Sequence, residues 1–359
     1  MFYYWLYPLR HFFSPFNVFQ YITFRSVGAA LTALIISLLI TPWLIKRLHA
    51  FHIGQHIRND GPQTHLAKEG TPTMGGLIIL IAMVVSTVLW ARINNRFIII
   101  VMGSTLWLGL IGFIDDYLKL VKKNPKGLPG NYKILGQFIL ALIVACYLYL
   151  FPANTSYATK VNVPLIKMLN LGIFYIPLVI LIIVGASNAV NLTDGLDGLA
   201  VGSLIFAASS YAALTYVTGN FKFANYLRII FVPGSGELTV FLAAMIGACL
   251  GFLWYNSHPA EIFMGDTGSL FLGGTLGIVA VCVKHEVLLA VIGGIFVVEA
   301  LSVIMQVGSF KLRGKRIFKM APLHHHFELK GWAESKVVIR FWIIGIILAL
   351  LALSTLKLR

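Results

Sequence analysis

The sequence predicts an all-α integral membrane protein with about ten transmembrane helices. Of its 359 residues, 58% are hydrophobic and only 11% are charged, whereas a soluble domain usually carries about 25% charged residues. The apolar residues form separate stretches near the length of roughly 20 residues that a helix needs to cross a bilayer. Because the sequence shows neither an internal repeat nor a low-complexity segment, residues 1–359 are interpreted as a single multi-pass transmembrane domain.

Ten apolar stretches meet this length criterion, and the fifth is the least regular of them. Pro177 interrupts it, and Asn188 is expected to end it early. The predicted spans, in chain order, cover residues 24–45, 74–91, 97–116, 134–151, 173–187, 199–217, 238–255, 267–283, 287–307 and 337–356.

The distribution of basic residues predicts which side of the membrane each loop occupies. With ten spans, the loops after the odd-numbered spans share one face, and these loops carry 17 of the 28 Lys and Arg residues. Basic residues are enriched in cytoplasmic loops, so this face is predicted to be cytoplasmic and both termini to lie outside. The loops of this face are residues 46–73, 115–133, 188–198, 256–266 and 308–336, with the last extended to residue 340 for the count.

The net charge of +15 does not indicate a nucleic-acid-binding protein. The basic residues are scattered over short loops and form no basic face with aromatic residues between them. Anionic membrane lipids and anionic substrates are therefore the expected partners, and no nucleic acid is expected. The three cysteines, Cys146, Cys249 and Cys282, lie in apolar stretches without paired spacing, and we expect them to pack as small apolar side chains.

Every polar motif falls on the predicted cytoplasmic face. An aspartate at the centre of a transmembrane helix costs about 2.5–3.5 kcal/mol, so five unpaired aspartates cannot lie at mid-depth. Counting residues along the spans places all five at the cytoplasmic boundary, where three separate acidic motifs meet. These aspartates are Asp115, Asp116, Asp194, Asp197 and Asp266.

Asp115 and Asp116 are adjacent like charges and therefore need a cation nearby. The candidates are the lysines that follow them and a divalent cation, because Mg²⁺ typically takes one or two carboxylates together with water and phosphate oxygens. Helix capping can satisfy only one of the two aspartates. For Asp266, which precedes Thr267, capping and a role in the site are equally consistent with the sequence.

Residues 188–198 carry a polar side chain at every third position, from Asn188 to Asp197. Gly195 and Gly198 disfavour a regular helix, so we predict a tight polar turn that presents amides and carboxylates together. An ordinary solvated turn between two helices is the alternative, although the many apolar neighbours fit it poorly.

Three consecutive histidines, residues 324–326, lie in the last cytoplasmic loop. Their spacing is not that of a zinc site, and we expect these imidazoles to donate hydrogen bonds to phosphate or to transfer protons. In the ninth span, Glu299 and Gln306 belong to one polar helical face. That face is either an interhelical hydrogen-bonding stripe or the wall of a polar cleft.

The polar residues at the membrane boundary are typical of a site for phosphoryl transfer, which depends mainly on positioning and charge neutralisation. The carboxylates can bind a divalent cation, and the lysines and histidines can contact phosphate. Their place at the end of ten spans indicates one soluble substrate and one substrate dissolved in the bilayer. A transporter is the alternative class, but its ionisable residues usually lie near mid-membrane at the interface of internal repeats.

Five motifs resemble those of the phospho-N-acetylmuramoyl-pentapeptide transferase family of bacterial cell-wall synthesis. They are GTPTMGG, GFIDDYLK, NAVNLTDGLDGLA, FMGDTGSL and APLHHHFELKGW. The acidic motifs are shared with the wider superfamily of polyprenyl-phosphate N-acetylhexosamine-1-phosphate transferases, whereas GTPTMGG and the three histidines are specific to the muramoyl-pentapeptide branch. A sister transferase that uses UDP-N-acetylglucosamine is the alternative within the superfamily.

The resemblance implies an enzyme of the bacterial cytoplasmic (inner) membrane, with periplasmic termini and an active-site cleft at the cytoplasmic face. It implies Mg²⁺-dependent transfer of phospho-MurNAc-pentapeptide from UDP-MurNAc-pentapeptide to undecaprenyl phosphate, which forms lipid I and releases UMP. Members of the family form homodimers, so a homodimer is expected.

The family's functional residues carry over to matching positions of this sequence. Asp266 would be the principal Mg²⁺ ligand and a catalytic residue, together with His324. Asp115 and Asp116 would lie beside it, one of them deprotonating the lipid phosphate or attacking as a nucleophile. Substrate binding is implied for Lys68, Thr73, Lys119, Lys133, Asn191, Asp194, Asp197, Asn256, Phe263, Gly265, Gln306, His325 and His326.

Overall fold

A computed structural model describes residues 1–50, 70–122, 124, 127–163 and 168–357 of the chain. Within these residues the chain is mostly helical, with one short antiparallel hairpin of β1 (Lys160–Val161) and β2 (Leu169–Asn170). The helices are α1 (Phe2–Leu6), α2 (Ile22–Ala50), α3 (Gly76–Trp90), α4 (Arg96–Leu120), α5 (Gly130–Leu150), α6 (Tyr175–Thr193), α7 (Leu199–Thr218), α8 (Phe221–Leu227), α9 (Glu237–Asn256), α10 (Gly265–Cys282), α11 (Glu286–Ile292), α12 (Gly294–Arg313), α13 (Leu323–Glu328) and α14 (Glu334–Ser354).

In the described part of the chain, nine helices are long and apolar enough to cross a membrane. The all-α membrane fold is therefore confirmed. The second predicted span, 74–91, corresponds to α3, which has only 15 residues. Its helix begins late because the segment before it is extended and pairs with another loop: Phe263 N donates to Pro72 O, and Gly75 N donates to Phe263 O.

Two predicted span boundaries are wrong. The fifth span does not end at Asn188, because α6 continues to Thr193. Asn188 stays helical because its amide donates hydrogen bonds to Val184 O and to Gln137 Oε1 of α5. The ninth span is not one helix, since Gly293 separates α11 from α12.

Helix α10 forms the centre of the bundle, and all of its residues from Thr267 to Cys282 are buried. It packs against α3, α4 and α6 through glycines that allow close backbone approach. A Cβ at Gly112 of α4 would collide with the carbonyl oxygen of Asp266, and a Cβ at Gly76 of α3 would collide with the backbone of Gly268. These contacts fix where the ends of α3, α4 and α10 meet.

Replacing Gly112 with alanine is therefore expected to destabilise the fold by about 1–3 kcal/mol, as is typical of overpacking. The expected result is a lower midpoint of thermal unfolding in detergent. Gly103→Ala, in the same helix, is the matched control, because a Cβ there meets nothing within 4 Å. A Gly112→Ala variant that unfolds at the temperature of the Gly103→Ala variant would contradict this packing.

Met1 and Lys357, the first and last described residues, lie at the end of the bundle where α3 ends. The amino group of Met1 donates hydrogen bonds to Val88 O and Leu89 O. Near the C-terminus, Lys357 Nζ lies 3.7 Å from the ring centroid of Tyr226 in α8, which follows α7 at this same end. The aspartate motifs lie at the opposite end, where α3 and α10 begin.

A buried ion pair holds three helices together at the end that carries the termini. The guanidinium group of Arg25 in α2 donates two hydrogen bonds of 2.7 Å to the carboxylate of Glu237 in α9. It also donates to Trp90 O at the end of α3, at 3.3 Å. The Arg25 side chain is fully buried, and that of Glu237 is nearly so.

Candidate active site

Three carboxylates meet where α4 ends and α10 begins. One oxygen each of Asp115, Asp116 and Asp266 lies within 4.8 Å of the other two. Asp115 and Asp116 are buried, whereas the Asp266 side chain is 18% exposed. We call these three residues the acidic cluster. The number of spans between the motifs predicted that these three aspartates lie on the same side of the membrane, and the structure places them together.

Two lysines bridge the acidic cluster. Lys133, in the first turn of α5, places Nζ 2.9 Å from Asp115 Oδ1 and 2.6 Å from Asp266 Oδ2. Lys119, one turn after Asp115 in α4, forms an ion pair with Asp115 and lies 3.2 Å from Asp266 Oδ2. The ammonium groups offset two of the three negative charges.

Asp116 caps the N-terminus of α10. Its Oδ2 accepts hydrogen bonds from Thr267 N at 2.9 Å and from Thr267 Oγ1 at 2.6 Å, and its Oδ1 accepts one from Asp266 N at 3.2 Å. The sequence favoured a compensating cation for this residue and left capping open for Asp266. Asp116 of α4, and not Asp266, therefore caps α10. The carboxylate of Asp266 remains available to other partners.

The end of α6 completes one side of the acidic cluster. Asn191 Nδ2 donates to Asp266 Oδ1 at 2.9 Å and to Ser269 Oγ at 2.8 Å. Asp194 follows the helix, and burial together with the carboxylates of Asp266 and Asp116 raises its pKa to about 8.

The polar turn predicted for residues 188–198 is shorter and spans residues 194–198. Asp197 lies at its far side, among partners outside the acidic cluster: its Oδ2 is 3.1 Å from His258 Nδ1 and accepts a hydrogen bond from Ala260 N at 3.1 Å. Gly198 N donates to Asn256 Oδ1 at 3.2 Å. Asn188 and Asn191, by contrast, belong to the helix.

Thr73 and the loop before α10 border the acidic cluster. Gly265 has φ +76°, and a Cβ there would lie 2.8 Å from Asp116 Oδ2 and 2.9 Å from Thr73 Oγ1. Glycine is therefore required at this position both for its backbone conformation and for space. Phe263 is half-buried beside these residues. Lys68 lies outside the described residues.

The histidine loop is held by α12. Glu299 is buried and accepts hydrogen bonds from Leu323 N at 2.7 Å and His324 N at 3.1 Å. Its carboxylate also lies 3.3 Å from His324 Nδ1. The buried His324 ring lies against Gly195, where a Cβ would collide with Nε2. His324 thus touches the 194–198 turn next to the acidic cluster.

The remaining predicted residues of this region make local contacts. Gln306 accepts hydrogen bonds from Ile317 N and Phe318 N. His325 Nδ1 lies 2.8 Å from Glu328 Oε2, and His326 Nδ1 accepts a hydrogen bond from Lys319 N. The polar face of α12 therefore bonds both the loop that follows it and the first turn of α13. This is interhelical hydrogen bonding, the first of the two alternatives that the sequence offered.

An apolar groove runs along α5 and α6 towards the acidic cluster. Its volume is about 400 Å³, and Ile134, Phe138 and Leu181 are exposed along it. Asn188 lies at one end and is one helical turn before Asn191, which contacts Asp266. No pattern in the sequence predicted this groove, because it depends on how α5 and α6 pack. Its lining is Ile134, Phe138, Pro177, Ile180, Leu181, Val184, Gly185 and Asn188.

Comparison with known proteins identifies the family. The profile described as Glycosyl transferase family 4 matches residues 97–284, and the phospho-N-acetylmuramoyl-pentapeptide-transferase signature 1 matches residues 68–80. A phospho-N-acetylmuramoyl-pentapeptide-transferase of Thermodesulfovibrio yellowstonii is 58% identical over 99% of both chains. Another, of Endomicrobium trichonymphae, is 55% identical over 100% of both chains. The chain belongs to the phospho-N-acetylmuramoyl-pentapeptide transferase family.

Membership of this family confirms the resemblance seen in the five motifs. The family 4 match includes all five aspartates, and the signature covers the segment from Lys68 to the first turn of α3. Since the phospho-N-acetylmuramoyl-pentapeptide transferases are enzymes, the transporter alternative is set aside.

Proposed function

We propose that the chain transfers phospho-MurNAc-pentapeptide from UDP-MurNAc-pentapeptide to undecaprenyl phosphate, forming lipid I and releasing UMP. The observation that carries the proposal is the convergence of three carboxylates and two lysines at one end of a membrane-spanning bundle. One substrate of this reaction is soluble and the other is a lipid, which fits a polar site at the edge of an apolar bundle.

The acidic cluster suits Mg²⁺. This ion binds carboxylate, water and phosphate oxygens, and the three carboxylates exceed the charge of the two lysines by one negative charge. Asp266, the most exposed of the three, would be the principal ligand, with Asp115 and Asp116 beside it. When bound, Mg²⁺ neutralises charge on the phosphate oxygens of the substrates.

The acidic cluster and its two lysines are proposed to carry out the transfer. An oxygen of the lipid phosphate attacks the β-phosphorus of the donor, the pyrophosphate bond to the α-phosphate breaks, and UMP leaves. Lys119 and Lys133 attract the phosphates to this point and offset their charge. Asp116 positions Asp266 by capping α10, so Asp115 is the better candidate to take a proton from the lipid phosphate in this direct route. In the two-step alternative, Asp115 would attack the β-phosphorus first and release UMP, and the lipid phosphate would then displace Asp115 from that phosphorus.

The groove along α5 and α6 is proposed to hold the isoprenoid chain of the acceptor. Its lining is apolar and opens on the side of the bundle, where lipid would meet it. A chain lying there would bring its phosphate past Asn188 towards Lys133 and Asp266.

The donor is proposed to bind on the other sides of the acidic cluster. Asp194 and Asn191 would contact its phosphates or sugar, and Thr73, Asn256, Phe263 and Gly265 would contact the uridine and phosphates, with Phe263 able to stack on the base. Lys68 and Asp197 are assigned to the same subsite. His325, His326 and Gln306 would complete the cleft, and His324 is proposed as a further catalytic residue.

UMP release by the purified protein tests the proposal. The assay contains undecaprenyl phosphate and Mg²⁺ and compares UDP-MurNAc-pentapeptide with UDP-N-acetylglucosamine, each with and without EDTA. Metal-dependent release from the first donor alone is expected. Release of UMP from UDP-N-acetylglucosamine alone would assign the chain to the sister transferases. Release that EDTA does not reduce would show that the reaction does not need Mg²⁺.

The acidic cluster is proposed to face the cytoplasm of the bacterial inner membrane, with the termini in the periplasm and the chain as a homodimer. A cysteine replacing the exposed Glu261, in the loop between α9 and α10, should react with an impermeant thiol reagent only after cells are opened. A cysteine replacing the exposed Asn225 in α8 should react in intact cells. The reverse labelling pattern would show that the acidic cluster faces the periplasm.

The proposed homodimer is tested by light scattering of the purified protein, which should give twice the mass of one chain.

A further inference from the structure

A second cluster of ionisable side chains joins three separate segments of the chain. Asp197 of the 194–198 turn, His258 of the α9–α10 loop and Glu334 at the start of α14 each place one atom within 4.8 Å of the other two. His258 and Glu334 lie outside the five sequence motifs. We call these three residues the turn-anchoring cluster.

His258 and Glu334 hold Asp197 by both its side chain and its backbone. His258 Nδ1 lies 3.1 Å from Asp197 Oδ2 and 3.6 Å from Glu334 Oε2. Glu334 Oε1 accepts a hydrogen bond of 2.9 Å from Asp197 N. Because the Asp197 side chain is 2% exposed, water replaces these contacts poorly when they are lost.

The turn held in this way contributes several groups to the proposed donor subsite. Asp194 lies near the carboxylates of Asp266 and Asp116, Gly195 lies against the His324 ring, and Gly198 N donates to Asn256. The turn has only five residues, so a shift at Asp197 is transmitted to all of these contacts.

We propose that His258 and Glu334 are positioning residues for the nucleotide part of the donor. They act through Asp197 and the 194–198 turn, and the inference rests on the proposed function. Donor binding is the step they affect, because the contacts that hold Asp115, Asp116 and Asp266 come from α4, α5, α6, α10 and the loop between α4 and α5.

Steady-state kinetics of Glu334 variants tests this inference. With the full-length protein, saturating undecaprenyl phosphate and Mg²⁺, Glu334→Ala should raise KM for UDP-MurNAc-pentapeptide about tenfold, the usual effect of losing one hydrogen bond to a charged group. Its kcat should stay near the wild-type value. Glu334→Gln keeps an oxygen that can accept from Asp197 N and should restore most of the affinity. Calorimetric titration with UDP-MurNAc-pentapeptide, without acceptor, should show the same order of affinities.

A His258→Ala variant tests the same role of the turn-anchoring cluster if Glu334→Ala does not fold. The His258 side chain is 42% exposed, so its removal is expected to leave the fold intact and to raise the donor KM several-fold. Since both residues act through Asp197, the effects in the double variant should be less than additive in free energy. Ser335→Ala and Glu261→Gln alter exposed neighbours on α14 and the α9–α10 loop and should match the wild type.

Two results would overturn the inference: an unchanged donor KM in folded Glu334→Ala and His258→Ala variants, or a loss confined to kcat. Failure of the proposed function would look different, because the wild-type protein itself would then release no UMP from UDP-MurNAc-pentapeptide.

Discussion

Asp266→Asn is expected to lower UMP release by about 10²–10³-fold, the size of effect seen when a group that stabilises developing charge is removed. Asparagine keeps one oxygen at this position but not the charge that would hold Mg²⁺, and it also leaves Lys119 and Lys133 without one carboxylate. The measurement is kcat for UMP release at saturating substrates and Mg²⁺.

The fold should tolerate this substitution, because α10 is capped by Asp116 and not by Asp266. The unfolding midpoint of Asp266→Asn is therefore expected to stay close to that of the wild type, whereas Asp116→Asn should lose both activity and stability. Glu261→Gln, which removes an exposed carboxylate from the loop before α10, is the control and should be fully active. Near-wild-type UMP release by Asp266→Asn would exclude Asp266 from the metal site.

Arg25→Ala is expected to cost about 3–5 kcal/mol of stability, the usual effect of removing one partner of a buried ion pair. Glu237 would remain buried, with the guanidinium of Arg92 3.5 Å away as a partly exposed partner. The expected result is a markedly lower unfolding midpoint in detergent. The folded fraction should keep its kcat, because the pair lies at the end of the bundle opposite the acidic cluster.

Two further variants separate the ion pair from a general loss of positive charge. Lys222→Ala removes an exposed charge from α8 at the same end and should unfold like the wild type. Replacing both partners, as Arg25→Met with Glu237→Leu, should recover part of the stability, since no buried charge is left unpaired. An Arg25→Ala variant as stable as Lys222→Ala would show that the pair contributes little.

The sequence predicted the membrane fold and the acidic cluster because both follow from one-dimensional patterns. Apolar stretches of sufficient length define the spans, and the number of spans between two motifs decides whether they share a face. Asp115, Asp116 and Asp266 meet for that reason, although about 150 residues separate them.

The parts that the sequence did not predict depend on contacts between distant segments. Asn188 and Asn191 looked like turn residues, but partners on α5 and α10 satisfy their amides and allow α6 to continue. Asp116 caps a helix that begins 150 residues later. His258 and Glu334 reach Asp197 across 61 and 137 residues, and no local pattern marks either of them.

Binding of Mn²⁺ to the purified protein, followed by electron paramagnetic resonance, tests most directly whether the acidic cluster holds the divalent cation. Mn²⁺ takes the same carboxylate and water oxygens as Mg²⁺. The wild-type chain is expected to bind Mn²⁺ at a site from which Mg²⁺ displaces it, and Asp266→Asn is expected to lose that site while staying folded. Equal Mn²⁺ affinity in the wild type and in Asp266→Asn would contradict the assignment of the acidic cluster as the metal centre.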